Sequence, residues 1–263
     1  MFSGETKKLI LVLTLLTACL FTTARAKGFG VDPFIVETTA NSKKVKVGTF
    51  TVSNREDYPV TVELAYENWL KRRGFNNELS NIAPEEWIKV NPSQFEIKAQ
   101  SSTKVNYLIS IPEGLEGELV SMIFFVPKSE IRTSQIQSRF GVCVYAAIEK
   151  TEKLKCKIIE TKIRRDAEND NVNFVIKVKN TGNVHVRPEG AIVITQEENV
   201  VRKIKLHGGR PIFPGQTIVY SQDWNNTSLP LGTYTAQAVV KYGEIYGEER
   251  SLEGKKAEFF GVK

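Results

Sequence analysis

Side chains able to do chemistry are few in this sequence, and they stand far apart. His185 lies in "NTGNVHVRP", beside a turn and within a strand-like run, and His207 precedes "GGRP" in a loop. Neither is near the other, or near cysteines and acids at the spacing a metal site needs. No Gly-x-Ser-x-Gly elbow, His-Glu-x-x-His helix or phosphate loop occurs. "GLEGE" and "HGG" read as turn chemistry. A Ser–His–Asp triad assembles only across a fold, so the inventory itself favours structural histidines. It points to a protein that is not an enzyme and uses no cofactor or metal.

The remaining reactive side chains are cysteines, and their meaning depends on compartment. Residues 1–26 read as an export signal: Lys7 and Lys8, then the apolar "LILVLTLLTACLF" of Leu9 to Phe21, then "ARA" at Ala24–Ala26. Cleavage after Ala26 leaves Cys143 and Cys156 in an oxidising periplasm or cell envelope. There they can pair as one disulfide or remain two buried thiols. "LTAC" at Leu16–Cys19 offers a second processing route, lipidation at Cys19. Only that route would tie the protein to a membrane, and the apolar Leu20 and Phe21 together with the "ARA" site favour plain cleavage. Of the net charge of +6, the first 26 residues carry +2 (Lys7, Lys8 and Arg25 against Glu5), leaving +4 interspersed with acids. That is no basic stripe for nucleic acid.

Short β-rich runs between turn signals must position whatever site exists. They are expected at Val31–Thr38, Lys44–Ser53, Val60–Trp69, Trp87–Val90, Gln94–Lys98, Thr103–Ile111, Leu119–Val126 and Gln135–Glu149. After the charged bridge "EKTEKLK" they resume at Cys156–Ile163, Val172–Lys179, Ala191–Thr195, Val200–Leu206, Thr217–Asp223, Gly232–Tyr242 and Lys256–Phe260. The fold class is therefore all-β, with two immunoglobulin-like β-sandwiches in series, residues 27–151 and 152–263. "KRRGFNNELSNIAPEE" is expected as a polar surface loop. Trp69, Trp87 and Trp224 are expected in packing, and Tyr234 at a tyrosine-corner position.

The longest alternating run is "SQIQSRFGVCVYAAIEK", Ser134 to Lys150. Ile136, Phe140, Val142, Val144, Ala146 and Ile148 share one face, and Cys143, Tyr145 and Ala147 the other. Such a strand either completes its own sandwich or is held out to another protein, and the part around residues 132–140 is expected to be exposed.

Residues 29–150 resemble the N-terminal domain of the periplasmic chaperones of pilus assembly, the PapD-like family. The matching stretches are "VDPFIVE", "VGTFTVSN" ending in Asn54, "WIKVNPSQFEI", "YLISIP", "MIFFVP" ending in Pro127, and the long strand with Arg139. The second half resembles immunoglobulin-like modules of bacterial cell-surface proteins. The resemblance implies a chaperone-like protein that lends its last N-domain strand to a secreted β-rich or pilus-type subunit. Ile136, Arg139, Phe140, Val142 and Val144 would contact that partner, with Arg139 as a charged anchor. The family's first-strand basic position falls at Ile35, which carries no charge. The alternative is a structural or adhesive cell-envelope protein built on the same sandwich.

Overall fold

The computed structural model describes residues 28–128, 138–165, 171–225 and 229–261. The export segment, Cys19 and Ile136 lie outside the described residues.

The expected first strand is two. β1 (Phe29–Asp32) and β2 (Ile35–Ala40) are parted by Pro33, and they pair into different sheets. Proline has no N–H to give a ladder, so the chain changes sheets where a continuous strand would lose a bond. β1 joins β3 (Lys46–Asn54), β7 (Ser101–Ile109) and β5 (Ile88–Asn91) in the order β1-β3-β7-β5. The facing sheet runs β2-β9-β8-β4-β6, with β4 at Val60–Asn68, β6 at Gln94–Ile97, β8 at Glu118–Lys128 and β9 at Phe140–Ile148. Phe50, Val52, Val62, Ile123, Phe125, Val142 and Val144 fill the space between. Gly48 lies opposite Tyr107, whose ring occupies the volume a Cβ there would need.

"KRRGFNNELSNIAPEE" lies largely at the surface as expected, but it is not irregular throughout. It holds parts of three single-turn helices, α1 (Trp69–Arg72), α2 (Glu78–Asn81) and α3 (Pro84–Trp87), anchored by buried Leu70 and Trp87. Asn68 caps α1 by accepting from Lys71 N–H, and its amide donates to the carbonyls of Leu79, Ser80 and Ile82. One asparagine thus ties the helix start to the return of the chain, which polarity along the sequence does not reveal.

The second sandwich packs β10 (Cys156–Arg165), β11 (Asn171–Asn180) and β14 (Thr217–Asn225) against a sheet centred on β12 (Glu189–Gln196) and β15 (Gly232–Tyr242). β13 (Asn199–Leu206) flanks β12. The two halves of β15 are paired by β17 (Ala257–Gly261) and by β16 (Arg250–Glu253), the latter absent from the sequence expectation. β11 and β15 alternate buried and exposed residues, as a strand with one wet face must. Tyr234 is buried and its hydroxyl donates to Pro230 C=O at 2.9 Å, the expected corner bond.

The two sandwiches share one local device. Asn54 ends β3, and its amide donates to the carbonyls of Tyr58, Ile97 and Lys98 while its oxygen accepts from Glu56 N–H. Asn180 ends β11, donating to Val184 and Ile212 C=O and accepting from Gly182 N–H. In each case a buried side chain bonds backbone groups of the turn after its strand and of a segment distant along the chain.

Candidate functional site

β9 is flanked on both sides for most of its length. β8 runs antiparallel along it from Phe125↔Phe140 to Glu118↔Ala147, and β2 runs parallel from Ile35↔Cys143 to Ala40↔Ile148. The two ladders do not start together. β2 reaches back only to Cys143, whose N–H donates to Phe34 C=O at 3.1 Å. Backbone groups two residues apart point to the same side of a strand. Arg139 and Gly141 therefore aim their N–H and C=O groups to the side where β2 has ended.

Arg139 and Gly141 are exposed, and the Arg139 guanidinium lies 4.8 Å over the Phe124 ring. Phe140 is half-buried with its ring 4.8 Å from Phe29. Phe34, where the β2 ladder begins, is 66% exposed and Ile35 is 38% exposed. Large apolar groups stay at such levels in water at a cost of roughly 25 cal/mol per Å².

Two of the expected contact residues point elsewhere. Val142 and Val144 are each 0% exposed and belong to the core of the first sandwich. The apolar face that looked available to a partner is the face the sandwich uses for itself. The opposite face is buried as well: Cys143 and Tyr145 pack with Leu70, Val120 and Phe213, and Ala147 joins the core of the second sandwich. β9 is thus apolar on both faces because it lies between its own core and the neighbouring sandwich.

The disulfide alternative is corrected in the same way. Cys143 and Cys156 are both free and buried, the first in the inter-sandwich cluster and the second in the core of the second sandwich. Burial pushes the Cys143 thiol up to about 11 and the Cys156 thiol up to about 12, so both stay protonated at neutral pH. Neither behaves as a nucleophile.

The feature that sequence reading missed surrounds His185, which is 0% exposed. Its Nδ1 lies 2.8 and 2.9 Å from the two carboxylate oxygens of Glu118, and its backbone N–H donates to the same carboxylate at 3.0 Å. Its Nε2 lies 3.2 Å from Glu37 Oε1, which also accepts from Arg187 Nε at 2.6 Å. The Tyr246 hydroxyl is within 2.9 Å of Glu118 Oε1 and 3.0 Å of His185 C=O. Tyr145 stacks beside the imidazole at 4.2 Å between ring centroids, and Arg187 lies over the Tyr145 ring at 5.4 Å. Glu37, Glu118 and Tyr145 come from the first sandwich, His185, Arg187 and Tyr246 from the second. Sequence reading treated His185 as isolated because its acids lie 67 and 148 residues away along the chain. One signal was present: in "VHVRP" the two basic residues alternate with valines, so they share a face while the valines pack inward.

Burial disfavours charge on His185, but the charge and hydrogen bonds of Glu118 and then Glu37 outweigh it and hold the imidazole above its ordinary value. Burial likewise pushes Glu37 up, and the bonds from His185 and Arg187 overcome it and leave the carboxyl below its usual range. Beside this cluster lies a cleft of about 360 Å³, lined in part by Leu70, Phe75, Leu79, Glu118, Asn183 and Phe213. Among the described residues no group of His, Cys, Asp and Glu is arranged to hold a metal ion. No helix among them is long and apolar enough to cross a membrane.

No family model matches the chain, and no curated protein does. Among solved structures it is similar to the CupB2 chaperone of Pseudomonas aeruginosa, at 14% identity and a TM-score of 0.46, over 85% of this chain and 98% of that one. It is similar to the E. coli chaperone DraB at 16% identity and a TM-score of 0.43, over 88% and 98% of the two chains. The Class 5 fimbriae chaperone CfaA matches at 13% identity and a TM-score of 0.47, over 90% and 100%. At these identities and TM-scores the likeness carries no argument about this chain, and no residue's role is carried across.

Proposed function

We propose that this is an exported, non-enzymatic chaperone-like protein of the periplasm, which binds a secreted β-rich, pilus-type subunit by lending it strand edge. The segment that leads into β9, from Gln135 to Gly141, is the donor. The observation that carries this reading is the mismatch of the two ladders, in which β8 accompanies β9 from Phe140 but β2 only from Cys143. A strand edge left open in an exported protein invites pairing, and natural proteins blunt, cover or use it. Here the edge is flanked by exposed Phe34 and by Arg139, not blunted by a run of lysines.

In this reading the contact is mostly backbone to backbone, each hydrogen bond contributing about 1 kcal/mol net and tolerating varied partner sequences. Ile136 and Phe140 supply apolar contact, and Arg139 supplies a charge-assisted bond to a partner carboxylate. Val142 and Val144 act indirectly, by fixing the register of the strand in its own core.

The test is site-specific photo-crosslinking in the periplasm, with the crosslinker at Ser138 and, as control, at Lys205 on the edge strand β13. A small β-rich subunit captured at Ser138 and not at Lys205, with capture weakened several-fold by Arg139→Ala, is the expected result. Capture of nothing at Ser138, or equal capture at both positions, overturns strand donation and favours a structural or adhesive envelope protein.

A further inference from the structure

We propose that the joint between the two sandwiches is a pH-sensitive lock, closed while His185 carries a proton on both ring nitrogens and released when it loses one. This goes beyond the binding reading and does not depend on it.

The hydrogen-bond inventory sets the protonation state. Nδ1 faces Glu118 and Nε2 faces Glu37, and an ionised carboxylate only accepts. The imidazolium, with two N–H groups, answers both carboxylates at once; the Tyr246 hydroxyl, 3.1 Å from Nδ1, is the one other group beside that nitrogen, and it also lies within reach of Glu118 Oε1 and His185 C=O. Charge counting agrees. Glu37 and Glu118 bring two negative charges, and Arg187 and protonated His185 bring two positive ones. Removing the His185 proton leaves a net negative charge in a buried place and turns a ring lone pair toward a carboxylate. An unbalanced buried charge of this kind is strongly destabilising.

The other titratable groups facing His185 do not compensate. Tyr145 and Cys143 on β9 and Tyr246 on its 3-10 turn (Glu244–Tyr246) are all pushed up, first by burial, and stay neutral through the same range. Glu118, at the head of β8, and Glu37, on β2, face the ring from the first sandwich. Arg187, on the segment of His185 itself, is held above its ordinary value because Glu37 outweighs the effect of burial.

The sign follows from linkage. A histidine raised in the folded state contributes stability that is complete below its unfolded value, about 6.5, and is lost as pH rises through the raised folded value. Glu37 is lowered, so its contribution is complete above about 4.3 and is lost as pH falls through the folded value. The joint is therefore tightest in mildly acidic conditions and loosens as the medium turns alkaline. Because the cluster bonds one sandwich to the other, loosening is read as motion between them. Glu118 also lines the adjoining cleft.

The experiment combines NMR of the histidine rings with small-angle X-ray scattering over pH 5.5–9.5, on the full mature chain. His207 is the chain's one other histidine, so the two ring signals are readily assigned. The His185 ring should hold both protons to a higher pH than a free imidazole does, and the maximum dimension of the particle should grow as it loses one. Glu37→Gln removes only the half-buried acid and should move both transitions down together by about one pH unit, the effect of one neighbouring charge. His185→Gln should abolish the pH response of the scattering. Scattering that stays unchanged while His185 titrates, or an identical transition in His185→Gln, overturns the proposal. If His185→Gln does not fold, Glu37→Gln decides alone: the two transitions either move together or the lock is refuted.

Discussion

Asn54 and Asn180 show how much of each sandwich hangs on one side chain. Each is buried and satisfies backbone groups at the end of a strand with every atom it can offer. Replacing Asn180 with alanine orphans the carbonyl of Val184 and the N–H of Gly182, and takes one of two donors from the carbonyl of Ile212, which keeps the Val186 N–H. The expected cost is about 3 kcal/mol, since a buried unsatisfied group costs about 1–3 kcal/mol and part of the loss relaxes. Urea denaturation of the full chain measures it. "VSN" and "VKN" before turns were legible as strand ends, but an asparagine in a turn is ordinary. Its burial, which makes it structural, depends on the carbonyl of Ile212 arriving from 32 residues away. His185 follows the same logic: its residue type was plain, while its partners were brought by folding.

Strand existence was largely written in the alternation of apolar side chains, because a period of two is local and survives without knowledge of the fold. The expected strands at Val60–Trp69 and Gly232–Tyr242 correspond to β4 and β15 within a residue at each end. Breaks were harder to read, as β1 and β2 show. Pro33 was visible, but the passage of the chain from one sheet to the other was not. The one-turn helices between β4 and β5 were missed because a four-residue helix holds no full period to detect. For β9, burial on both faces gives a clear expectation. Val144→Asp places an unpaired charge in the first core and should unfold that sandwich, seen as loss of its dispersed methyl signals by NMR. Arg139→Ala, on an exposed side chain, should leave stability within about 0.5 kcal/mol. If Val144→Asp instead leaves the fold intact, the inward register of β9 is wrong.

At the level of the whole molecule the two sandwiches are joined by packing as well as charge. Phe213 is 1% exposed and reaches from the second sandwich to Tyr145 and Phe75 of the first. Truncating it removes the apolar anchor of the joint while leaving both cores untouched. Phe213→Ala should cost about 3–4 kcal/mol of coupling, as deletion of a buried aromatic does. Differential scanning calorimetry checks this: one cooperative transition in the parent protein should separate into two. A single transition at lower temperature would mean that Phe213 belongs to one core and does not couple the two.

By itself the sequence determined the all-β class, the succession of strands and the near-absence of catalytic side chains. These rest on local periodicity and on residue types, which need no knowledge of what lies opposite. Tertiary structure decided that both faces of β9 are buried, that Cys143 and Cys156 stay apart, and that His185 sits between two carboxylates. Each of those depends on groups distant along the chain coming within a few ångströms, and spacing in sequence does not encode that distance. The long strand was legible as a strand; that β2 pairs with it only from Cys143 onward was not.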